Sequence, residues 1–214
     1  AAHPNFSPIQ KAISYAMTSF YTTGGIRGSK SKGMDKFHPR SFNMGIRRSV
    51  YETLKGFREM RFGEDIDFSY RILEAGYSTQ LIPDAWVYHK RRSTFQQFFK
   101  QVHNSGIARI NLEILHPGTL KLVHTLPALF TAGTLFCIAM RTIWSWTMLP
   151  LCIFTLLILV DATKQSRSVH VGLLAILAAY TQLIGYGTGF LRACWKRYIL
   201  RQDSFEAFSK NFYK

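Results

Sequence analysis

Between Leu122 and Val160 the chain carries a single formally charged side chain, Arg141, and between Val169 and Leu191 it carries none. No water-facing surface has that composition. A bilayer core about 30 Å thick needs roughly 20 apolar residues in a helix, because lipid offers no partner to a free backbone amide. Three segments meet or approach that length, at about 122–140, 143–160 and 170–191. Trp144, Trp146, Tyr180, Tyr186 and Trp195 are available as interfacial anchors. Burial of all three as core helices of a soluble protein is the competing arrangement, and the preceding residues are too few to wrap them.

The charge follows the apolar segments. Net charge is +15, and 17 of the 27 Lys and Arg precede position 120. Lys90, Arg91, Arg92, Lys100 and Arg109 stand before the first apolar segment, which by the positive-inside rule puts the N-terminal portion in the cytoplasm of an integral inner- or plasma-membrane protein. Anionic headgroups would hold that basic face. A nucleic-acid partner is set aside, because no recognition motif accompanies the charge. Three spans would send the C-terminal tail outside, while Arg192, Lys196, Arg197, Arg201, Lys210 and Lys214 draw it inside. A re-entrant middle segment, or a shallow hairpin of the first two, would each reconcile the two. Cys137, Cys152 and Cys194 lie within or beside the apolar segments and outline no disulfide framework. The chain opens Ala1-Ala2-His3, without initiator Met or signal pattern, and a longer natural chain is expected.

The first 120 residues read differently. Residues 9–22 predict a helix or helical turn with Ile9, Ile13, Ala16 and Phe20 on one side, followed by a Gly24-Gly25 break. Residues 27–36, rich in Gly, Ser and Lys, read as a basic loop that closes over an anion or is merely solvated. Ser41 to Ile46 reads as a short strand and Ser49 to Leu54 as a short helix ended by Gly56. Thr79 to Ile82 and Ala85 to His89 read as two strands around Pro83-Asp84. From Thr94 to Leu115 a helix carries Phe95, Phe98, Phe99, Val102, Ile107, Ile110 and Ile114, either as an interfacial amphipathic helix or as a core helix.

The sharpest pattern lies between these elements. Gly63-Glu64-Asp65-Ile66-Asp67 opens a helix that Gly76 stops, so its first turn carries three carboxylates. Carboxylates at a helix N-terminus are favoured by the macrodipole and by free amide donors. One that faces a cleft can accept the proton of an attacking hydroxyl, which is general base catalysis. An ordinary charged first turn is the plain alternative, and context decides between them.

Residues Ser41 to Arg109, with Ser41-Phe42-Asn43-Met44-Gly45-Ile46-Arg47-Arg48, Gly63-Glu64-Asp65 and His89, resemble the C-terminal half of the catalytic domain of family 2 glycosyltransferases. The resemblance implies an α/β fold class: the C-terminal half of a GT-A-like, nucleotide-diphospho-sugar transferase domain, followed by an α-helical transmembrane region. It implies Asp65 as catalytic base with Glu64 beside it, and Asn43, Met44, Gly45 and Gly63 bordering the acceptor. Lys90, Arg91 and Arg92 would neutralise the diphosphate of a nucleotide-sugar donor. His89 would help bind the metal, Mg²⁺ or Mn²⁺, or the diphosphate. Asp67 would be structural.

Residues 1–92 are then the catalytic portion, 93–118 an interfacial helix, 119–191 the membrane helices and 192–214 a basic tail. The chain departs from the family at Lys55-Gly56-Phe57, where many members have Gly-Gly-Phe, and after Gln101, where processive synthases have Gln-x-x-Arg-Trp. Non-processive transfer to a lipid-linked or glycan acceptor, in cell-envelope glycan synthesis, is therefore expected, with inversion. The nucleotide-binding half with its Asp-x-Asp motif is missing from residues 1–40, so the chain alone is expected to be inactive. Asp65-Ile66-Asp67 matches that motif only in letters, because the two carboxylates sit about 200° apart on a helix. The rival reading is a non-catalytic membrane scaffold or channel subunit docked on anionic lipid.

Overall fold

A computed structural model describes residues 3, 5–24, 38–39, 41–60, 62–82, 84–85 and 87–202. The basic loop expected at 27–36, and the last part of the basic tail, lie outside the described residues.

The chain folds as helices. Ser7 opens α1 (Pro8–Thr18) with a capping box: its hydroxyl accepts from Gln10 N and the Gln10 side chain accepts from Ser7 N. Extended backbone at Ser19 ends α1, and the Ser19 hydroxyl then caps α2 (Phe20–Thr23). The helix or helical turn expected over 9–22 is thus two helices, because the chain turns extended at Ser19, whose hydroxyl starts the second. After them come α3 (Arg48–Thr53), α4 (Glu64–Glu74) and α5 (Phe95–Leu115), the last capped by Thr94. The apolar half supplies α6 (Leu126–Met140), α7 (Leu149–Ser166) and α8 (Val169–Cys194), which runs on into a π-helical turn at Trp195–Ile199.

The α/β, GT-A-like fold class expected from the sequence is overturned. Among the described residues no strand forms, and Ser41–Asn43 is a 3-10 turn. Residues 79–82 and 87–89 are irregular. A strand exists only as part of a ladder, and alternating side chains alone do not provide the partner. Asn43 Nδ2 donates to Ala85 O at 3.0 Å, a side-chain bond between the two regions.

Helix α8 is the hub on which α1, α5, α6 and α7 pack. Ala12, Ile13, Ala16 and Met17 of α1 share a core with Phe98 and Val102 of α5, Ile158 and Ala162 of α7, and Ala175, Ala178 and Ala179 of α8. Small residues on α8 let the neighbours approach to backbone contact: a methyl at Gly189 would strike the carbonyl of His103 in α5. Phe130, Phe154 and Tyr180 join α6, α7 and α8 through ring contacts of 5.0 to 5.7 Å.

Two stretches, Ser145–Ser166 and Val169–Ile199, are long and apolar enough to cross a membrane. In the first only 11% of the most apolar window is buried, so the described residues leave most of it uncovered. Helix α6, at 15 residues, spans about 22 Å at 1.5 Å per residue, short of a bilayer core. A smaller cluster of Val50, Phe68 and Ile72, with Met44 and Leu54 against it, packs α3 and the preceding turn onto α4.

Candidate functional site

Helix α4 begins at Gly63, whose backbone is left-handed (φ 88°) and whose missing side chain leaves room for α5. A methyl there would lie 3.3 Å from Leu112 Cδ1 and 3.7 Å from Ala108 Cβ, so it is the left-handed backbone that calls for glycine, with α5 close beneath it. The acidic first turn expected from the sequence is present, with Glu64, Asp65 and Asp67. Asp65 is buried, 8% exposed, and Glu64 is partly exposed beside it.

Asp67 points the other way and is fully buried. It accepts from Arg71 Nε at 2.9 Å and from Arg58 Nη1 at 3.1 Å, and lies 2.9 Å from His116 Nε2. A buried carboxylate is tolerated only with such partners. Arg71 continues the network, donating from Nη1 to Leu54 O and from Nη2 to Gly56 O, each at 2.6 Å, and its guanidinium lies 4.9 Å from the Phe68 ring centroid. Thus the loop after α3 is clamped to α4. His116, at the end of α5, has Nδ1 2.7 Å from Glu74 Oε1 and ties both ends of α4 to α5.

The other residues singled out from the sequence are placed as follows. Met44 packs on the Val50–Phe68–Ile72 cluster under α4, and Gly45 borders open space. Asn43 is turned to Ala85. The Arg91 carbonyl accepts from Gln10 Nε2 at 3.0 Å and its guanidinium reaches Met17 Sδ at 3.4 Å, so this side chain is drawn onto α1, and burial lowers its pKa. Arg92 Nε donates to Gln101 Oε1, and exposed Lys90 lines a cleft with His3, Asn5, Phe6, Gln10 and Tyr88. Burial, then the charges of Arg91 and Arg92, lower the pKa of His89 and keep its ring neutral.

His89, the residue expected to help bind a metal, lies half-buried beside the charges of Arg91 and Arg92. Among the described residues no group of three His, Cys, Asp or Glu side chains is arranged to hold an ion. Asp67 is committed to its three partners.

Sequence reasoning missed His116, Arg58 and Glu74. His116 stands just before Pro117-Gly118 and reads as a helix stop, and nothing in its spacing announces a partner 49 residues upstream.

No curated protein and no solved structure matches the chain significantly. The description "glycosyl transferase family group 2" matches residues 30–164, well over half of the chain, from before the α4 site to near the end of α7. A match of that extent, running unbroken through the acidic helix and into the apolar ones, settles the family: the chain belongs to glycosyl transferase family group 2.

Proposed function

We propose that the protein is a membrane-bound glycosyltransferase that moves one sugar per event from a nucleotide-sugar donor to a hydroxyl of a lipid-linked or glycan acceptor. The observation that carries this reading is the Glu64–Asp65 pair, set at the first turn of a helix that is anchored on its far side by Asp67, Arg71 and His116. Asp65 is the general base. Its carboxylate takes the acceptor proton as that oxygen attacks the anomeric carbon, and the nucleoside diphosphate departs with the electrons of the broken C–O bond, inverting the centre. Glu64 orients the acceptor hydroxyl. Preorganisation supports the assignment, since a base on a clamped helix needs little rearrangement to meet its substrate.

Lys90 and Arg92, both exposed, are the cations of the basic run available to the leaving diphosphate. Members of the family often use a divalent metal. Membrane attachment rests on the uncovered apolar surface: Leu135, Phe136, Ile138, Ile143, Trp144 and Trp146 are all more than half exposed. Sidedness, with the α4 site facing the cytoplasm, follows from the basic residues before α6.

The test is Asp65→Asn in the full-length natural protein in its own membranes. Transfer should fall by at least about 10³-fold, with expression and nucleotide-sugar binding retained. Near-normal turnover would remove Asp65 from the mechanism, and failure to bind any nucleotide sugar would favour the scaffold reading.

A further inference from the structure

Two residues of α5 and the residue that ends it lie beneath α4 at four-residue intervals. Ala108 and Leu112 meet Gly63, and His116 reaches Asp67 and Glu74. Asp67, Arg71 and Glu74 occupy one face of α4, at i, i+4 and i+7. Asp67 and Glu74 are about 10 Å apart along the helix axis, at 1.5 Å per residue. One imidazole engages both. It is itself 4% exposed and packs 5.0 Å from the Tyr70 ring, so its orientation is set from three sides.

We infer that His116 is a positioning residue for sugar transfer, fixing the rotation and the advance of α4 on α5 and thereby where the Asp65 carboxylate meets the acceptor hydroxyl. The inference rests on the reading of Asp65 as base. Asp65 and Asp67 share one turn, so any rotation of α4 that relaxes Asp67 carries Asp65 with it. Arg58 and Arg71 reach Asp67 from elements that move with α4 or from the loop before it. Of these three partners His116 alone sits at the end of α5, the helix packed on the α8 hub. It therefore references the site to the helical frame. A displacement of about 1 Å at a reacting group costs on the order of 10²-fold in rate.

The experiment uses the full-length protein in its own membranes, with a panel of UDP-hexoses as donor probes and release of nucleoside diphosphate as the readout. In His116→Gly, kcat should fall on the order of 10²-fold while donor KM stays within about twofold, and added free imidazole should restore turnover by filling the vacated space. Amide hydrogen exchange across residues 64–70 should rise in the variant and fall again with imidazole. A purely structural histidine would not show saturable rescue with unchanged KM. Natural-level turnover and exchange in His116→Gly overturn the proposal, as does a loss expressed only in KM without imidazole recovery.

Should His116→Gly fail to fold, Glu74→Ala removes the second acceptor from an exposed position. It should then lower kcat and raise exchange over residues 64–70 together, and no change in either overturns the proposal. Asp65→Asn, run beside these, separates the two claims. Turnover kept by Asp65→Asn sinks the base assignment, whereas turnover kept by His116→Gly and lost by Asp65→Asn sinks the positioning role alone.

Discussion

Gly106 of α5 and Tyr186 of α8 are in backbone contact: a methyl group at Gly106 would strike the Tyr186 carbonyl oxygen and lie 2.8 Å from Phe190 N. Neither atom can swing aside as a side chain would. Gly106→Ala should therefore force the two helices apart and destabilise the protein by about 1–3 kcal/mol, the cost of overpacking a tight contact. Gly133 of α6 is the control, since a methyl there meets nothing within 4 Å. Gly133→Ala should be neutral or stabilising by up to about 1 kcal/mol. Thermal unfolding in detergent distinguishes them, and equal effects would contradict the close approach of α5 to α8.

The Asp67 cluster makes a second prediction. Asp67→Ala leaves the guanidinium of Arg71 and the ring of His116 without their shared acceptor, and half-exposed Arg58 loses its partner as well. Breaking such a buried pair from one side costs about 3–5 kcal/mol. Arg58→Ala should cost much less, about 1 kcal/mol or below, because 45% of that side chain is already in water. Denaturant midpoints check the order, and a larger loss at Arg58 would show that the network is organised differently.

The helices of this chain were legible because their periodic apolar faces and caps are local. Thr94 before Phe95 and Gly63 before Glu64 mark the starts of α5 and α4. The expected strands failed because a strand is a relation between two segments, and alternation at 85–89 looks the same whether or not a partner lies alongside. The acidic pair at 64–65 could be found because adjacent carboxylates at a helix start are a sequence feature. The Asp67–His116–Glu74 arrangement could not, since it depends on how α4 crosses α5. Arg91 shows the same limit: a basic run reads as ligand-facing until α1 is seen to draw its middle member inward.

Tyr15 of α1 donates to Asp161 Oδ2 of α7 at 2.6 Å, an anchor between helices 146 residues apart. Burial first, and then the bond to Asp161, hold the Tyr15 phenol well above its ordinary pKa, so it remains a donor through the physiological range. Tyr15→Phe keeps the ring and removes the bond. It should destabilise the docking of α1 by about 1–3 kcal/mol, since the acceptor is charged and partly buried. Limited proteolysis after α1 should then accelerate, while an unchanged cleavage rate would mean that apolar packing alone retains the helix.

Glu113 receives the chain that leaves α5: its carboxylate accepts from Gly118 N at 2.8 Å and Leu120 N at 2.6 Å, and from the Thr119 hydroxyl at 3.2 Å. The Gly118 amide first, opposed by some desolvation and aided by the Leu120 amide, lowers the pKa of Glu113 below the ordinary glutamate value. A carboxylate depressed in the folded state contributes stability that is present above its unfolded pKa and is lost as pH falls through the folded one. The turn at residues 116–120 also carries the carbonyl and hydroxyl of Thr119, to which buried Arg109 donates at 2.6 and 2.8 Å. Loss of the Glu113 charge therefore loosens the anchor of Arg109 and the setting of His116 together. Natural protein should be more stable than Glu113→Gln at neutral pH, and the difference in unfolding midpoint should close as the pH is lowered past the ordinary carboxylate range. A difference independent of pH would show that the carboxylate bonds through shape alone, without using its charge.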